Sequence, residues 1–423
     1  MSCGERTGPQ AHPRRPDRAL AAISGGVDSS VAALLAQEQG LAVVGLTLAL
    51  PGTDAAAAKV VAERLGIEHR LADVGELFEE EVIAPFVAEY ARGCTPNPCV
   101  ACNAAVKLAV LLRWADELGC EKVVTGHYAQ VAESGGEFHL LRGADPRKDQ
   151  SYMLYRVGQE VLRRALFPLG PLAKRRVREL AAEADLPAAD RAESQDICFV
   201  TGGDVSALIR ARRPEAMRPG PILNQDGNVL GEHTGLAAYT VGQRRGLGLG
   251  GPEGPYYVLE IRARDNALVV GPEESLWVAG CELDAVQFVG SPPGREFATE
   301  VMTRYRGLVT PARVRLSGET ATVSFERSHR APAPGQAAVF YQGERLIGGG
   351  TIRPIAWAER QARALASGKR EAQNHGKRRR SERRVRNLPW RTDRRSSCRA
   401  VVRWPFSLLA SRLSPPNSGV SID

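Results

Sequence analysis

Ala19-Leu20-Ala21-Ala22-Ile23, followed at once by Ser24-Gly25-Gly26-Val27-Asp28-Ser29-Ser30, is the stretch that decides the fold. The five apolar residues read as a short buried strand. Ser29–Gln39 reads as a helix, with Val31, Leu34 and Leu35 on one face and Gly40 at its end. A turn of glycine and serine between a strand and a helix aims backbone N–H groups and the helix N-terminus at one point, which favours an anion there. The glycines let the backbone approach closely, Ser24 and Ser29 add hydroxyl donors, and Asp28 can either hold Mg²⁺ or orient the loop. The bland alternative is an ordinary strand-to-helix turn made of small residues.

Working outward, the alternation continues. Leu41–Leu50 reads as strand, Asp54–Leu65 as helix stopped by Gly66, Ile67–Val74 as strand and Glu76–Arg92 as helix. Asn103 can cap a helix running to Leu118, and Lys122–Val131 follows as strand. Repeated strand–helix units predict an α/β fold, a doubly wound parallel sheet with helices on both faces. Ligands in such sheets bind beyond the carboxyl ends of the strands, where the loops at 24–29, 94–102 and 125–128 gather. This domain is expected over 18–204, behind a polar, proline-rich leader at 1–17 expected to be disordered. Glycine and proline then become frequent, which suggests a small linking domain over 205–275. Ala312–Leu316 and Ala321–Phe325 alternate around Ser317-Gly318-Glu319-Thr320, and Ala337–Tyr341 and Arg345–Ile347 flank Gln342-Gly343. These are hairpin signatures, and they predict a β-barrel over 276–355. The segment 356–423 is rich in Arg, Ser and Pro and reads as a basic, disordered tail.

Composition bounds the rest. In 423 residues, 43% are hydrophobic and 25% charged, which excludes wholesale disorder and collagen-like architecture. Net charge is +8, but 356–423 holds 17 Lys and Arg against 5 Asp and Glu. The body is therefore net negative, and RNA binding there must rest on local features. The longest apolar run, Leu41 to Pro51, has eleven residues, short of the ~20 that cross a bilayer. No membrane partner is expected, and without a signal peptide the default compartment is the cytoplasm. Eight cysteines in such a chain argue for thiol chemistry or metal rather than a disulfide framework.

Three of them cluster. Thr95-Pro96-Asn97-Pro98-Cys99-Val100-Ala101-Cys102-Asn103 is a proline-braced loop, and Cys102 at a helix start is expected to have a lowered pKa and nucleophilic character. Cys198, after Glu193-Ser194-Gln195-Asp196-Ile197, reads on its own as a buried structural thiol. Cys99 and Cys102 also have zinc half-site spacing, but no second pair or histidine cluster completes it, so no metal ligand is assigned.

Seven further motifs stand in order: TPNPCVACN, TGHYA, KDQSYML, ESQDICF, YTVGQRRGLGLG, MTRYR and PGQAAVFY. The SGGVDS loop resembles the pyrophosphate-binding loop (PP-loop) of ATP pyrophosphatases. Together the motifs resemble the bacterial tRNA-specific 2-thiouridylases, the MnmA family, over about residues 18–355. The resemblance implies a PP-loop domain, a linking domain and a β-barrel, and an enzyme that replaces the 2-oxygen of a wobble uridine in tRNA with sulfur, using ATP. It places ATP on Ala22, Ile23, Ser24, Gly25, Gly26, Val27, Asp28, Ser29, Leu48 and Gly126, with Mg²⁺ beside the phosphates. It places the target base on Asn97, Pro98 and Cys99, and tRNA on His127, Lys148, Asp149, Gln150, Arg304, Tyr305 and Gln336. Cys102 matches the nucleophile and Cys198 the persulfide carrier, charged by a donor protein of a cysteine desulfurase relay. A four-iron iron–sulfur cluster on Cys99, Cys102 and Cys198 is the less favoured alternative. Departures are few: Leu48 and Cys94 replace a usual Met and Arg, Pro51 to Ala58 is short, and nothing in 356–423 matches.

Overall fold

The computed structural model describes residues 17–187, 197–250, 254–356 and 359. The leader 1–16, most of the ESQDICF motif and nearly all of the basic tail lie outside the described residues.

A five-stranded parallel sheet carries the N-terminal domain, in the order β3-β2-β1-β4-β7. Its strands are β1 (Arg18–Ala22), β2 (Ala42–Ala49), β3 (Glu68–Asp73), β4 (Lys122–Val124) and β7 (Ala165–Leu166). Every adjacent pair is parallel, as strand–helix alternation requires. The alternating side chains of β1 divide the interior. Leu20 joins the core formed with the helices over 75–91 and 98–117. Ala19, Ala21 and Ile23 join the opposite core, with α1 (Val27–Glu38), α2 (Ala55–Leu65) and the helix Lys174–Glu183. Strand order reverses at β1, with β2 on one side and β4 on the other. The loops leaving β1 and β4 therefore open at the switch point where α/β sheets bind ligands.

Three local expectations are corrected. The helix expected from Asn103 begins at Pro98, because the Asn97 side chain accepts from the Cys99 N–H and proline suits the first helical position. The strand expected over Lys122–Val131 stops at Val124. The chain resumes as β5 (Ala129–Ser134), which pairs with β6 (Glu137–Arg142) in a hairpin absent from the sequence reading. The loop helix α1 starts two residues before Ser29, at Val27.

Behind this domain, β8 (Gly220–Leu223), β9 (Val229–His233), β10 (Tyr257–Arg262) and β11 (Ala267–Gly271) form a small four-stranded sheet. Next come β12 (Trp277–Phe288), β13 (Glu296–Met302), β14 (Val309–Ser317), β15 (Thr320–Arg330), β16 (Ala337–Gln342) and β17 (Arg345–Ile352). These six close on themselves through β12 and β17, which makes the expected barrel. Both expected hairpins are present, closed at Ser317–Thr320 and Gln342–Arg345. β6 adds to the barrel at β17, so the N-terminal domain lends it a hairpin. The two regions also share a core, in which Met302, Val339, Tyr341 and Leu346 of the barrel pack with residues of the 75–91 and 98–117 helices. Pro98–Glu117 is long and apolar enough to cross a membrane, but its buried face belongs to this interior.

Candidate active site

The loop after β1 is shaped by its own hydroxyls. Ser24 N–H donates to Ser29 Oγ at 3.1 Å, the two serine hydroxyls lie 3.1 Å apart, and Ser29 Oγ donates to Gly26 O at 3.0 Å. No side chain caps the N-terminus of α1, which leaves its first-turn N–H groups for a ligand. Gly25 has φ +77, and a Cβ there would lie 2.9 Å from Ala58 N. Gly126, leaving β4, packs still closer: its Cβ would meet Asp28 C at 2.8 Å and Ser29 N at 2.9 Å. Leu48, at the end of β2, is buried in the core beneath.

Asp28 is held by two groups that the sequence reading missed. Its Oδ1 accepts from the Tyr128 hydroxyl at 2.7 Å and from Lys174 Nζ at 2.6 Å. Lys174 is buried, so this is an ion pair across the mouth of the parallel sheet. Of the two roles expected for Asp28, this geometry serves orienting the loop.

A chain of contacts leads from the loop to the thiols. His127, next to Gly126, has Nδ1 2.7 Å from Thr125 Oγ1 and Nε2 3.2 Å from Asn103 Oδ1. Asn103 also donates to Met153 O, and Asn97 contacts Met153 Sδ at 3.4 Å. Burial, aided by the Lys107 charge, holds the His127 imidazole down to about 3, so it stays neutral. Cys102 precedes Asn103 and lies deep in the 98–117 helix, a full turn from its start. Its thiol is pushed up to about 11 by burial, the reverse of the expected lowering, because desolvation outweighs the Lys107 charge. Cys99 and Cys198 are exposed residues whose thiols are also raised, chiefly by desolvation in the cleft.

The three sulfurs share one electrostatic neighbourhood. Cys198 acts on both Cys99 and Cys102, and Lys107 acts on all three. The Cys198 turn is anchored by Phe199, which packs edge-on against Phe78 and Phe86 at 5.6 and 5.1 Å. Cys198 is therefore not the buried structural thiol that an isolated reading suggests. All six described cysteines are free. Among the described residues no group of three His, Cys, Asp or Glu side chains is arranged to hold a metal.

The remaining positions divide by exposure. Asp149 is buried, accepting from Gly143 N, Ser151 N and Ser151 Oγ and facing Arg142 at 3.5 Å. Gln150 accepts from Tyr128 N, and Gln336 donates to Thr95 O at 2.7 Å. These three side chains brace loops around the cleft, while Lys148 is half-buried. Arg304 is exposed, and Tyr305 beside it reaches the electrostatic range of Cys99 and packs near Tyr152, with ring centroids 6.1 Å apart.

A parallel sheet with this loop at its switch point, followed by a small sheet domain and a closed barrel, defines a three-part PP-loop protein. Family models match in that order: a tRNA methyl transferase HUP domain over 17–202, a tRNA methyl transferase PRC-barrel domain over 208–272 and an aminomethyltransferase β-barrel domain over 278–352. A relative from Desulforudis audaxviator named tRNA-specific 2-thiouridylase is 48% identical, over 78% of this chain and 97% of its own. Another of that name from Chloroflexus aurantiacus is 46% identical, over 79% and 97%. The solved NMN synthetase of Francisella tularensis matches 47% of this chain and 77% of its own, at 20% identity and a TM-score of 0.31. The chain belongs to the tRNA-specific 2-thiouridylase family.

Proposed function

We propose that this protein is a tRNA-uridine 2-sulfurtransferase: it adenylates the wobble uridine with ATP and then replaces the 2-oxygen with persulfide sulfur. The observation that carries the reading is the continuous path from the Ser24–Ser29 loop through Gly126, His127 and Asn103 to Cys102, with Cys198 alongside. It supports a reading in which a phosphate-binding loop and two thiols serve one reaction. Methyl transfer, the activity in two of the family-model descriptions, would leave both without work.

The chemistry needs both. A uracil carbonyl is a poor electrophile with oxide as its leaving group. Attack of the 2-oxygen on the α-phosphorus of ATP breaks the bond to pyrophosphate and makes AMP the group that departs from C2. The loop N–H groups, Ser24 and Ser29 would hold pyrophosphate, with Ala22, Ile23, Leu48 and Gly126 along the nucleotide. The terminal sulfur of a Cys198 persulfide, supplied by a donor protein, attacks C2 and expels AMP. The Cys102 thiolate then attacks Cys198 Sγ, releasing the 2-thiouridine anion and leaving a Cys102–Cys198 disulfide for an external thiol to reduce. The Asp28 Oδ1 already receives Lys174 and Tyr128, so a protein-held Mg²⁺ would fall to Oδ2. The ion expected with ATP would be carried by the phosphates, and no step here depends on protein ligation. Asn97, Pro98 and Cys99 would receive the extruded base. Direct RNA contact would fall on Lys148, Arg304 and Tyr305, with His127, Asp149, Gln150 and Gln336 shaping the surface. A cytoplasmic setting belongs to the same reading.

Mass spectrometry of tRNA nucleosides from cells with and without the gene should show 2-thiouridine lost on deletion. Restoration should fail with Cys102→Ser and Cys198→Ser and succeed with Cys99→Asp. Unchanged 2-thiouridine, or ATP cleavage by the purified protein without RNA, would sink the assignment. Activity that requires about four irons per chain would replace the persulfide route with the cluster and keep the substrate.

A further inference from the structure

We infer that Lys107 is the residue that stabilises anionic sulfur in this cleft, serving Cys102 and Cys198 in turn; the inference rests on the thiol chemistry proposed above. Lys107 follows Cys102 by five positions. In an α-helix that spacing turns a side chain about 140° away. Here Cys102–Leu108 forms a π-helical stretch, whose wider i→i+5 turn reduces that offset to roughly 50° and brings Lys107 toward the side of the helix that carries Cys102. The helix is regular on either side, over Pro98–Ala101 and Ala109–Glu117. The irregular stretch thus coincides with the thiol and the lysine.

The charged surroundings single out the same residue. Cys102 is faced by Lys107 and Cys99 from its own helix and by Cys198 from the turn that carries Phe199. Cys99 is faced by Lys107, by Cys198 and by Tyr305 from the barrel. Cys198 is also faced by Lys107, and the other neighbour of Lys107, His127, is neutral. Among the described residues, Lys107 is the one cation acting on all three thiols. Cys102 is buried, and a buried thiolate without a nearby cation is strongly disfavoured. The proposed reaction needs sulfur anions twice: at the persulfide that attacks C2, and at Cys102 when it resolves the adduct. A half-buried ammonium whose charge reaches both cysteines serves both steps.

The test reads Cys102 directly, without tRNA. Alkylation by iodoacetamide, followed by peptide mass spectrometry across a range of about pH 6–11, gives the thiol's profile in the full chain. Lys107→Met should slow Cys102 alkylation about tenfold through most of this range, the loss of thiolate that a rise of about one unit produces below the midpoint. Lys107→Arg should keep the wild-type profile, and Cys281, remote in the barrel, should not change in either variant. A second measurement needs no variant. In the native protein, anionic iodoacetate should react with Cys102 several-fold faster relative to neutral iodoacetamide than it does in the urea-unfolded chain. An unmoved profile in folded Lys107→Met, or equal reagent preference in native and unfolded chains, would overturn the inference. Absence of tRNA thiolation alongside a shifted profile would instead overturn the proposed function and leave the role of Lys107 standing.

Discussion

The Asp28 carboxylate ties the loop after β1 to two residues distant in sequence. It draws a buried lysine and a tyrosine hydroxyl onto the loop, so Asp28→Asn removes the countercharge of Lys174 while nearly preserving shape. Because Asp28 is about one-third exposed, the expected loss of stability is only about 1–2 kcal/mol, read as a lower urea midpoint. Pyrophosphate release, which needs the loop in place, should fall far more. A variant with wild-type release would show that the pair is structural only. His127 makes a separate prediction through pH. Its folded form stays neutral down to about 3, whereas the unfolded chain takes up a proton near 6.5. The stability it contributes is therefore complete above pH 6.5 and drains away as pH falls toward 3. Between about pH 7 and about pH 4.5 this amounts to about 2 kcal/mol. His127→Gln should flatten that acid limb in thermal melts, and an unchanged limb would mean that the imidazole is protonated in the fold.

Among elements, the loop and its neighbours are set by clearance more than by bonds. Gly126 has an ordinary backbone conformation, so alanine is sterically barred only by the backbone of Asp28 and Ser29 behind it. Gly126→Ala should push the start of α1 aside by several tenths of an ångström. It should reduce tRNA-dependent pyrophosphate release by an order of magnitude or more while the chain still folds. Undiminished release would mean that the loop tolerates the shift. The same elements show what the sequence makes legible. The parallel sheet can be read because apolar runs and amphipathic stretches alternate from Ala19 to Glu117, and the barrel hairpins because polar turns punctuate period-two strands. The start of the 98–117 helix is easily misread because Asn97-Pro98, a cap followed by proline at the first helical position, sits among prolines that resemble a rigid loop, and Asn103 offers a competing cap. The Cys102 thiol is raised rather than lowered because of burial, which a position in the sequence does not reveal. The β5–β6 hairpin escapes a sequence reading because its strands leave one sheet to join another, a tertiary choice with no local mark. Tyr128 and Lys174 are invisible for a related reason: 100 and 146 residues separate them from Asp28, and only the fold closes those gaps.

For the whole molecule, charge is distributed against composition. The basic excess lies in 356–423, whereas the body that carries the cleft is net negative. The Desulforudis relative matches over 97% of its length within 78% of this chain, so the family's three parts are complete without the remainder. Lysine and arginine attract RNA by releasing counterions, an effect that falls steeply with salt and is indifferent to sequence. Specific docking should instead depend on the few exposed groups at the cleft, Arg304 among them. Removing 360–423 is therefore expected to weaken binding to unrelated RNA at low salt and to flatten the salt dependence, by roughly 0.7–0.9 in log–log slope for each phosphate that the segment neutralises. Turnover at saturating substrate tRNA should be unaltered, because the family models that match this chain end at residue 352. Titrating full-length and shortened protein against tRNA and a non-substrate RNA across a salt series, with 2-thiouridine formation measured alongside, separates the two contributions. A shortened protein that folds and binds ATP but cannot thiolate would assign the basic segment to the reaction itself.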